Sequence, residues 1–252
     1  MKLTRFVSLW LLLPLQADEG LYQRPVIVGA SLSDGFDLRD FGIPFLSPKS
    51  KQLGMHHYLQ QARKTEGERI LNLGSNWMFV APDSKGDYQV KKAREANPTV
   101  VFAVDFLFWY LYGNERSRTA EDRGLTRLEF FEKGLAKLAT LECPVVVGNI
   151  PDAEKSVGLI LAPGQYPGAE NIATANRRLD RWLKEHPKMV KVDLAGFHRL
   201  AINDEEIKVG DLLMPAGRTR EACMQWDLLH PTPEGIKAIV KVAMAALEES
   251  QT

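Results

Sequence analysis

Short apolar runs that alternate with longer amphipathic stretches are the feature that most constrains the fold of this chain. The runs are rich in valine, isoleucine and leucine and are bounded by glycine, proline or polar residues. There are five of them: PVIVGAS (25–31), RILNLGS (69–75), TVVFAVDFL (99–107), PVVVGNI (144–150) and MVKVDLA (189–195). Near-continuous apolar runs of this length are typical of strands that are covered on both faces.

The stretches between the runs have helical periodicity. In 125–141 and in 171–186 the apolar residues recur every three or four positions, which places them on one helix face. Thr232 and Pro233 are suited to the N-cap and the first position of a last helix. Strands that alternate with helices predict an α/β domain with a five-stranded parallel sheet and helices on both faces.

Two segments interrupt this pattern. Residues 32–55 and 196–226 carry scattered glycine, proline and charged residues. We therefore predict that both are long loops over one end of the sheet.

The N-terminus has the organisation of a signal peptide. Lys2 and Arg5 precede the apolar stretch 6–15, and Ala17 offers a cleavage point. Because about 20 apolar residues are needed to cross a bilayer, no integral membrane segment is expected after the leader is removed. We predict a signal peptide at 1–17, export, and a single domain at 18–252; the alternative is that the apolar stretch is the domain's first helix.

Charge and cysteine content narrow the choice of partners. The chain has 32 basic and 32 acidic residues, interspersed along its length, so neither nucleic acid nor an anionic membrane is an expected partner.

Cys143 and Cys223 either form one disulfide or remain separate thiols. They are not spaced as C-x-x-C and have no neighbouring histidine, so no zinc site is expected. No cofactor is expected either, and the sequence does not indicate an oligomeric state.

The first apolar run ends in Gly-Ala-Ser, which makes Ser31 a candidate nucleophile. Ligands of parallel sheets bind beyond the carboxyl ends of the strands, and Ser31 lies just past such an end. A serine nucleophile needs a histidine base, and the base needs a carboxylate to orient it. Four histidines are expected to be surface or packing residues: His56 and His57 in a helical stretch, His186 at a helix end and His198 in a loop.

His230 is different because it lies directly before the last helix, with Asp227 three residues upstream. In a tight turn the carboxylate reaches one nitrogen of the ring and leaves the other for a hydroxyl. The alternative is that Asp227 only caps the turn and His230 packs against it.

Taken together, the motifs GASLSDG (29–35) and DLLHP (227–231) resemble those of the SGNH (GDSL) hydrolase family. That family opens with a G-D-S-L-S-D-G-like block and closes with a D-x-x-H-P block. The run 145–152 and the following helix, with Asn176, extend the resemblance to roughly residues 25–247. It implies a three-layer, flavodoxin-like fold in which Ser31 is the nucleophile, His230 the general base and Asp227 its orienter. The larger α/β-hydrolase family fits less well, because its G-x-S-x-G elbow needs glycine where Ser33 stands.

The sequence departs from the SGNH pattern at two blocks. Ala30 replaces the aspartate before the serine, and Ala103-Val104-Asp105 stands where Gly-x-Asn is expected. The resemblance implies that the oxyanion is bound by the N–H of Ser31, by a glycine N–H and by an asparagine amide. Gly74 and Asn76 are the candidates for the last two. An ionised Asp105 would repel an oxyanion and could donate only if burial kept it protonated.

The leading hypothesis is a serine esterase or acyl-hydrolase that cleaves a small-molecule, acylated-glycan or lipid ester. The alternative is an impaired relative that binds a glycan or an acylated ligand. A nucleotide or phosphate binder would suit the sheet, but the turn after the first run lacks the glycine-rich phosphate motifs. In the aromatic stretch 105–113 we expect most rings to be core, with one or two facing the cleft.

Overall fold

The computed structural model describes residues 18–37, 53–63 and 67–251. The predicted signal peptide and residues 38–52 of the first predicted loop lie outside these ranges. The strands are β1 (Pro25–Ile27), β2 (Leu71–Asn72), β3 (Val100–Ala103), β4 (Val145–Gly148), β5 (Met189–Val192), β6 (Ile207–Val209) and β7 (Leu212–Met214). The helices are α1 (Asp18–Leu21), α2 (Ser31–Asp34), α3 (Met55–Ala62), α4 (Pro82–Glu95), α5 (Phe108–Tyr112), α6 (Arg127–Leu138), α7 (Ala169–Glu185), α8 (Leu194–Ile202), α9 (Thr219–Cys223) and α10 (Pro233–Glu249).

The five predicted strands form one parallel sheet in the order β2-β1-β3-β4-β5. Val26 of β1 lies opposite Leu71 on one side and Val101 on the other. The chain changes direction across the sheet between β1 and β3, and at such a switch point the loops diverge and open a crevice. The predicted five-stranded parallel α/β sheet is confirmed.

Alternate residues of the strands pack into two separate hydrophobic cores, one on each face of the sheet. Val101 and Ala103 of β3 pack on the side of α4, α6 and α7, whereas Val100 and Phe102 pack on the side of α3, α8 and α10. The strands are apolar at successive positions because both of their faces are covered. The three-layer arrangement that was predicted is therefore present.

Two helix starts follow the capping rules. The Thr126 hydroxyl accepts a hydrogen bond from the N–H of Glu129, and the Glu129 side chain accepts one from the N–H of Thr126, which forms a capping box for α6. The Thr232 hydroxyl accepts from the Gly235 N–H, with Pro233 at the first position of α10, as predicted.

The prediction that 196–226 is a long loop is wrong. The segment contains most of α8, the antiparallel hairpin β6-β7 and α9. Phe197, Ala201 and Ile202 bury the inner face of α8 against the core. Gly210 and Gly217 lie in tight turns between short elements, and several of the charged residues lie within the elements themselves. Composition does not distinguish such a segment from a loop. The other segment, 32–55, begins within α2 and ends at Met55 in α3.

Cys143 and Cys223 are free thiols. Within the described ranges, no helix combines the length and the apolar character required to cross a membrane.

Candidate active site

The turn that carries Ser31 leaves the sheet through Gly29, where the chain needs glycine for two reasons. Its φ of +150° lies in a region that side chains rarely adopt, and a Cβ there would lie 2.1 Å from Oδ1 of Asp105. The chain then enters the short helix α2, whose first residue is Ser31. The hydroxyl is half-buried at the carboxyl edge of the sheet.

Asp105 holds this turn in place. Its carboxylate accepts hydrogen bonds from the N–H groups of Ala30 (3.0 Å) and Leu32 (2.9 Å). It also accepts from the hydroxyl (2.6 Å) and the N–H (3.4 Å) of Ser33. Burial raises the pKa of Asp105, while these four donors oppose the rise because they favour the charged form.

Asp105, which could serve an oxyanion only as a protonated donor, is a hydrogen-bond acceptor in this structure. Its oxygens face donors of the turn, so the side chain acts as an acceptor that supports the backbone around Ser31. This chain has Ala30 where the SGNH pattern has an aspartate. The carboxylate of Asp105 reaches the same turn from the end of β3 instead.

Gln89 is a second support of the turn, and sequence reasoning missed it. Its side-chain carbonyl accepts from the Gly29 N–H (2.8 Å), and its amide donates to the Gly29 carbonyl (2.9 Å). The residue is buried on the inner face of α4, beside Gly86 and Val90. A polar side chain at the spacing of a buried helix stripe is the signal that could have identified it.

The structure brings Ser31, His230 and Asp227 together as a hydrogen-bonded row. His230 Nε2 lies 3.0 Å from Ser31 Oγ, and His230 Nδ1 lies 2.6 Å from Oδ2 of Asp227. The other carboxylate oxygen accepts from the N–H groups of Leu229 (3.1 Å) and His230 (3.0 Å). A hydroxyl, an imidazole and a carboxylate in this order can activate the hydroxyl as a nucleophile.

Asp227 remains a charged partner despite its burial. Burial acts to raise the pKa of this carboxyl, but hydrogen bonds and charge from His230, together with two backbone N–H groups, outweigh it and leave the pKa below its usual value. The negative charge is thus kept beside the Nδ1 side of the imidazole, where it favours the tautomer that leaves Nε2 free to take a proton.

The loop before α10 keeps the imidazole still. The Gln225 N–H donates to the carbonyl of His230 (2.8 Å), and the Gln225 amide donates to the carbonyl of Phe36 (2.6 Å). The Phe36 ring lies 4.0 Å from the imidazole centroid at a tilt of 30°. These hydrogen bonds hold the loop that carries His230, and the Phe36 ring packs against one face of the imidazole.

Leu228 lies between the acid and the base in an unusual backbone conformation, with φ of +60°. A branched side chain in this left-handed region is strained. The Leu228 carbonyl accepts a hydrogen bond from Nε2 of His198 at 3.0 Å, so His198 carries its proton on Nε2. The prediction that His198 lies in a loop is wrong: it is buried within α8, at helical spacing from Leu194 and Ala201, and it braces the loop of Asp227 and His230.

We expect His198 to make the protein sensitive to acid. Burial lowers the pKa of His198, and the hydrogen bond to Leu228 only partly opposes this. In the unfolded chain the imidazole takes up its proton near pH 6.5. Because the folded-state pKa is lower, the folded protein binds fewer protons than the unfolded chain below about that pH. The stabilisation that a neutral His198 provides is complete above about pH 6.5 and decreases as the pH falls toward the lower folded-state pKa.

Urea unfolding at about pH 7.5 and about pH 5.5, on either side of the unfolded-state value, measures this effect. The free energy of unfolding should fall more between the two pH values in the wild type than in His198→Gln, which keeps an N–H donor without a titratable ring. His57→Gln, on the partly exposed side of α3, is the control and should behave as the wild type. Equal losses in the wild type and His198→Gln would contradict the prediction.

Gly74 and Asn76, the predicted oxyanion donors, form hydrogen bonds within the protein. The Gly74 N–H donates to Oδ1 of Asn72 (3.0 Å), and the Asn76 amide donates to the carbonyl of Gly35 (3.1 Å). A Cβ on Gly74 would lie 2.8 Å from Cβ of Ser33, so this glycine allows α2 and the loop after β2 to approach closely. In this structure both residues support the turn, and their donors already have protein acceptors.

A narrow cavity of about 60 Å³ opens beside Ser31 and His230. Two aromatic residues of the predicted 105–113 cluster, Phe108 and Trp109, contribute to its wall, while Phe106, Tyr110 and Tyr112 are core residues, as expected. The remaining wall is apolar apart from Asp105 and His198. It consists of Ala30, Leu32, Pro151, Leu194, Phe197, Met224, Leu229, Pro231 and Ile239.

The other histidines lie apart from this cavity. His56 and His57 interact with Asn72 and Gln61, and His186 stacks on Trp182 at the end of α7. In the ranges that the structure describes, no group of three or more His, Cys, Asp or Glu side chains is arranged to hold a metal ion.

No family model and no curated protein sequence matches this chain. Several solved structures resemble it along most of its length. An acetylxylan esterase from Geobacillus stearothermophilus is 13% identical, with a TM-score of 0.54 over 93% of this chain and 97% of that one. A GDSL-like lipase from Bacteroides thetaiotaomicron is 15% identical, with a TM-score of 0.52 over 90% and 88%. An alpha/beta hydrolase enzyme from the metagenome of Lake Arreo is 16% identical, with a TM-score of 0.54 over 91% and 96%. Together with the strand order, these similarities show that the chain has the fold of the SGNH (GDSL-type) hydrolases.

Proposed function

We propose that this protein is a serine esterase or acyl-hydrolase that cleaves a carboxylic ester through an acyl-enzyme. The observation that carries the proposal is the row of hydrogen bonds from Ser31 Oγ through His230 to Asp227, at 3.0 and 2.6 Å. The row lies at the switch point of the sheet and opens to an apolar cavity, which is where a substrate of this fold would bind.

In the proposed acylation step, Ser31 Oγ attacks the ester carbonyl carbon while His230 Nε2 takes the hydroxyl proton. The tetrahedral intermediate collapses when the bond to the leaving oxygen breaks, and His230 returns the proton to that oxygen. An alcohol departs and the acyl group remains on Ser31. Asp227 holds the imidazole in the required tautomer and stabilises its transient positive charge.

Deacylation repeats the sequence with water in place of the serine. His230 takes a proton from the water as it attacks the acyl carbon, and the proton then goes to Ser31 as the carboxylic acid leaves. The backbone N–H of Ser31 is our proposed oxyanion donor, because the structure shows no protein acceptor for it within the described ranges. Asp105 keeps this N–H in place by holding Ala30 and Leu32 on either side of it, and Gln89 holds Gly29.

Labelling with a fluorophosphonate tests the proposal, because only an activated serine reacts with this reagent at an appreciable rate. We expect one modified residue, located at Ser31 by peptide mass spectrometry. The label should disappear in Ser31→Ala and persist in Ser84→Ala, an exposed serine on α4. A folded wild-type protein that takes up no label would contradict the esterase proposal and favour the alternative of a non-catalytic binding protein.

A further inference from the structure

A continuous series of aromatic rings runs from the cavity to the protein surface. We name it the aromatic strip; it consists of Phe108, Trp109, Phe79 and Trp77. Adjacent ring centroids are 5.1 Å apart for Phe108 and Trp109, 5.8 Å for Trp109 and Phe79, and 6.0 Å for Phe79 and Trp77. Its inner two members line the cavity beside Ser31. The aromatic strip thus runs from two buried rings beside Ser31 to two rings at the protein surface.

The outer half of the aromatic strip is exposed to solvent. Trp77 is 64% exposed and Phe79 is 40% exposed, and both belong to the 3₁₀ turn Asn76–Phe79 that follows β2. The turn is held by polar contacts, since the Ser75 hydroxyl accepts from the Trp77 N–H and the carboxylate of Asp34 accepts from the Asn76 N–H. Adjacent exposed rings that continue into a buried apolar cavity form a surface suited to an apolar partner.

The lining of the cavity argues against a sugar as the group that binds there. Its charged and hydroxyl-bearing side chains all have protein partners: Ser31 and His230 pair with each other, Asp105 accepts from the turn, and His198 donates to Leu228. Sugar hydroxyls that enter an apolar site without new hydrogen bonds lose their hydration at a cost. An alkyl chain does not have this cost and gains from burial.

We propose that the aromatic strip binds the acyl chain of the substrate, so that the protein favours esters of medium or long fatty acids over acetyl esters. This inference rests on the proposed esterase function. The carboxyl carbon lies at Ser31, the first methylenes fill the cavity beside Phe108 and Trp109, and the rest of the chain extends along Phe79 and Trp77.

The test compares p-nitrophenyl acetate with p-nitrophenyl decanoate as substrates. We expect kcat/KM to be higher for the decanoate. In the double variant Trp77→Ala/Phe79→Ala, kcat/KM for the decanoate should fall on the order of tenfold, as expected for the lost burial of about two methylene groups. The value for the acetate should change less than about twofold, because an acetyl group does not reach the outer strip.

Tyr88→Ala is the matched control, since Tyr88 is an aromatic residue that is 58% exposed on α4 and shows no ring contact with the aromatic strip within the described ranges. It should leave kcat/KM for both esters unchanged. Equal losses for both esters in the double variant, or no loss for the decanoate, would overturn the proposal.

A binding measurement separates this inference from the proposed reaction. Ser31→Ala protein cannot form an acyl-enzyme, so calorimetry on it measures binding alone. It should detect binding of the fatty acid decanoate, and this binding should be weaker when Trp77→Ala/Phe79→Ala is added to Ser31→Ala. Binding of decanoate without any ester hydrolysis by the wild type would support the role of the aromatic strip and contradict the proposed esterase function. Hydrolysis of p-nitrophenyl acetate without binding of decanoate would contradict the role of the aromatic strip and support the esterase function.

Discussion

Replacing Asp227 with asparagine is expected to lower kcat for ester hydrolysis on the order of 10⁴-fold, the size of effect seen when the acid of such a triad becomes an amide. The carboxylate accepts from His230 Nδ1 and from two backbone N–H groups. An amide keeps one acceptor oxygen but can present its NH₂ group to the ring. The imidazole would then carry its proton on Nε2 and could not take one from Ser31.

Steady-state hydrolysis of p-nitrophenyl acetate, together with the rate of fluorophosphonate labelling, measures this effect. Both rates should fall in Asp227→Asn while circular dichroism shows a folded protein. Asp180→Asn is the control, because Asp180 forms an exposed ion pair with Lys191 and such pairs contribute about 0–1 kcal/mol. Wild-type turnover in Asp227→Asn would mean that the Asp227 carboxylate does not orient the base in the reaction.

The second large effect is expected at Asp105. Replacement by alanine leaves the N–H groups of Ala30 and Leu32 without their acceptor in a buried environment, whereas the Ser33 hydroxyl can still donate to the Val28 carbonyl at 3.3 Å. Each buried donor left unpaired costs about 1–3 kcal/mol, so we expect the free energy of unfolding to fall by about 2–6 kcal/mol. The turn would also lose its geometry, and a shift of the nucleophile by about 1 Å can lower turnover by about 100-fold.

Urea unfolding and kcat for p-nitrophenyl acetate report these two consequences separately. Asp105→Asn is the milder variant, because its amide retains one acceptor oxygen; it should lose less stability than Asp105→Ala and still turn over more slowly than the wild type. Asp211→Ala, which removes an exposed carboxylate, is the control and should match the wild type in both measurements. Wild-type stability in Asp105→Ala would show that the hydrogen bonds to the turn contribute little.

Local patterns were enough to predict much of the fold. The five apolar runs, the helical periodicity of 125–141 and the cap at Thr232 each depend on residues close together in the chain. The pairing of Asp227 with His230 is of the same kind, since only three residues separate them. The position of Ser31 followed from the general rule that parallel sheets bind ligands at the carboxyl ends of their strands.

The hairpin β6-β7 and the helix α8 were missed within 196–226. Strands of three residues are too short to show the alternation by which strands are identified. The apolar face of α8 is interrupted by His198, whose role depends on a carbonyl 30 residues further along the chain.

The sequence by itself determined the five strands of the main sheet, the helices at 125–141 and 171–186 and the helix after Thr232, and it indicated Ser31, Asp227 and His230 as the candidate triad. Only the tertiary structure decided how the site is supported. Asp105 and Gln89 reach the serine's turn from 75 and 60 residues away, and His230 meets Ser31 across 199 residues. These contacts exist because β1 lies beside β3 in the sheet and α10 packs beneath it. Periodicity reports which face of an element is buried, and it carries no information about which distant side chain will lie opposite.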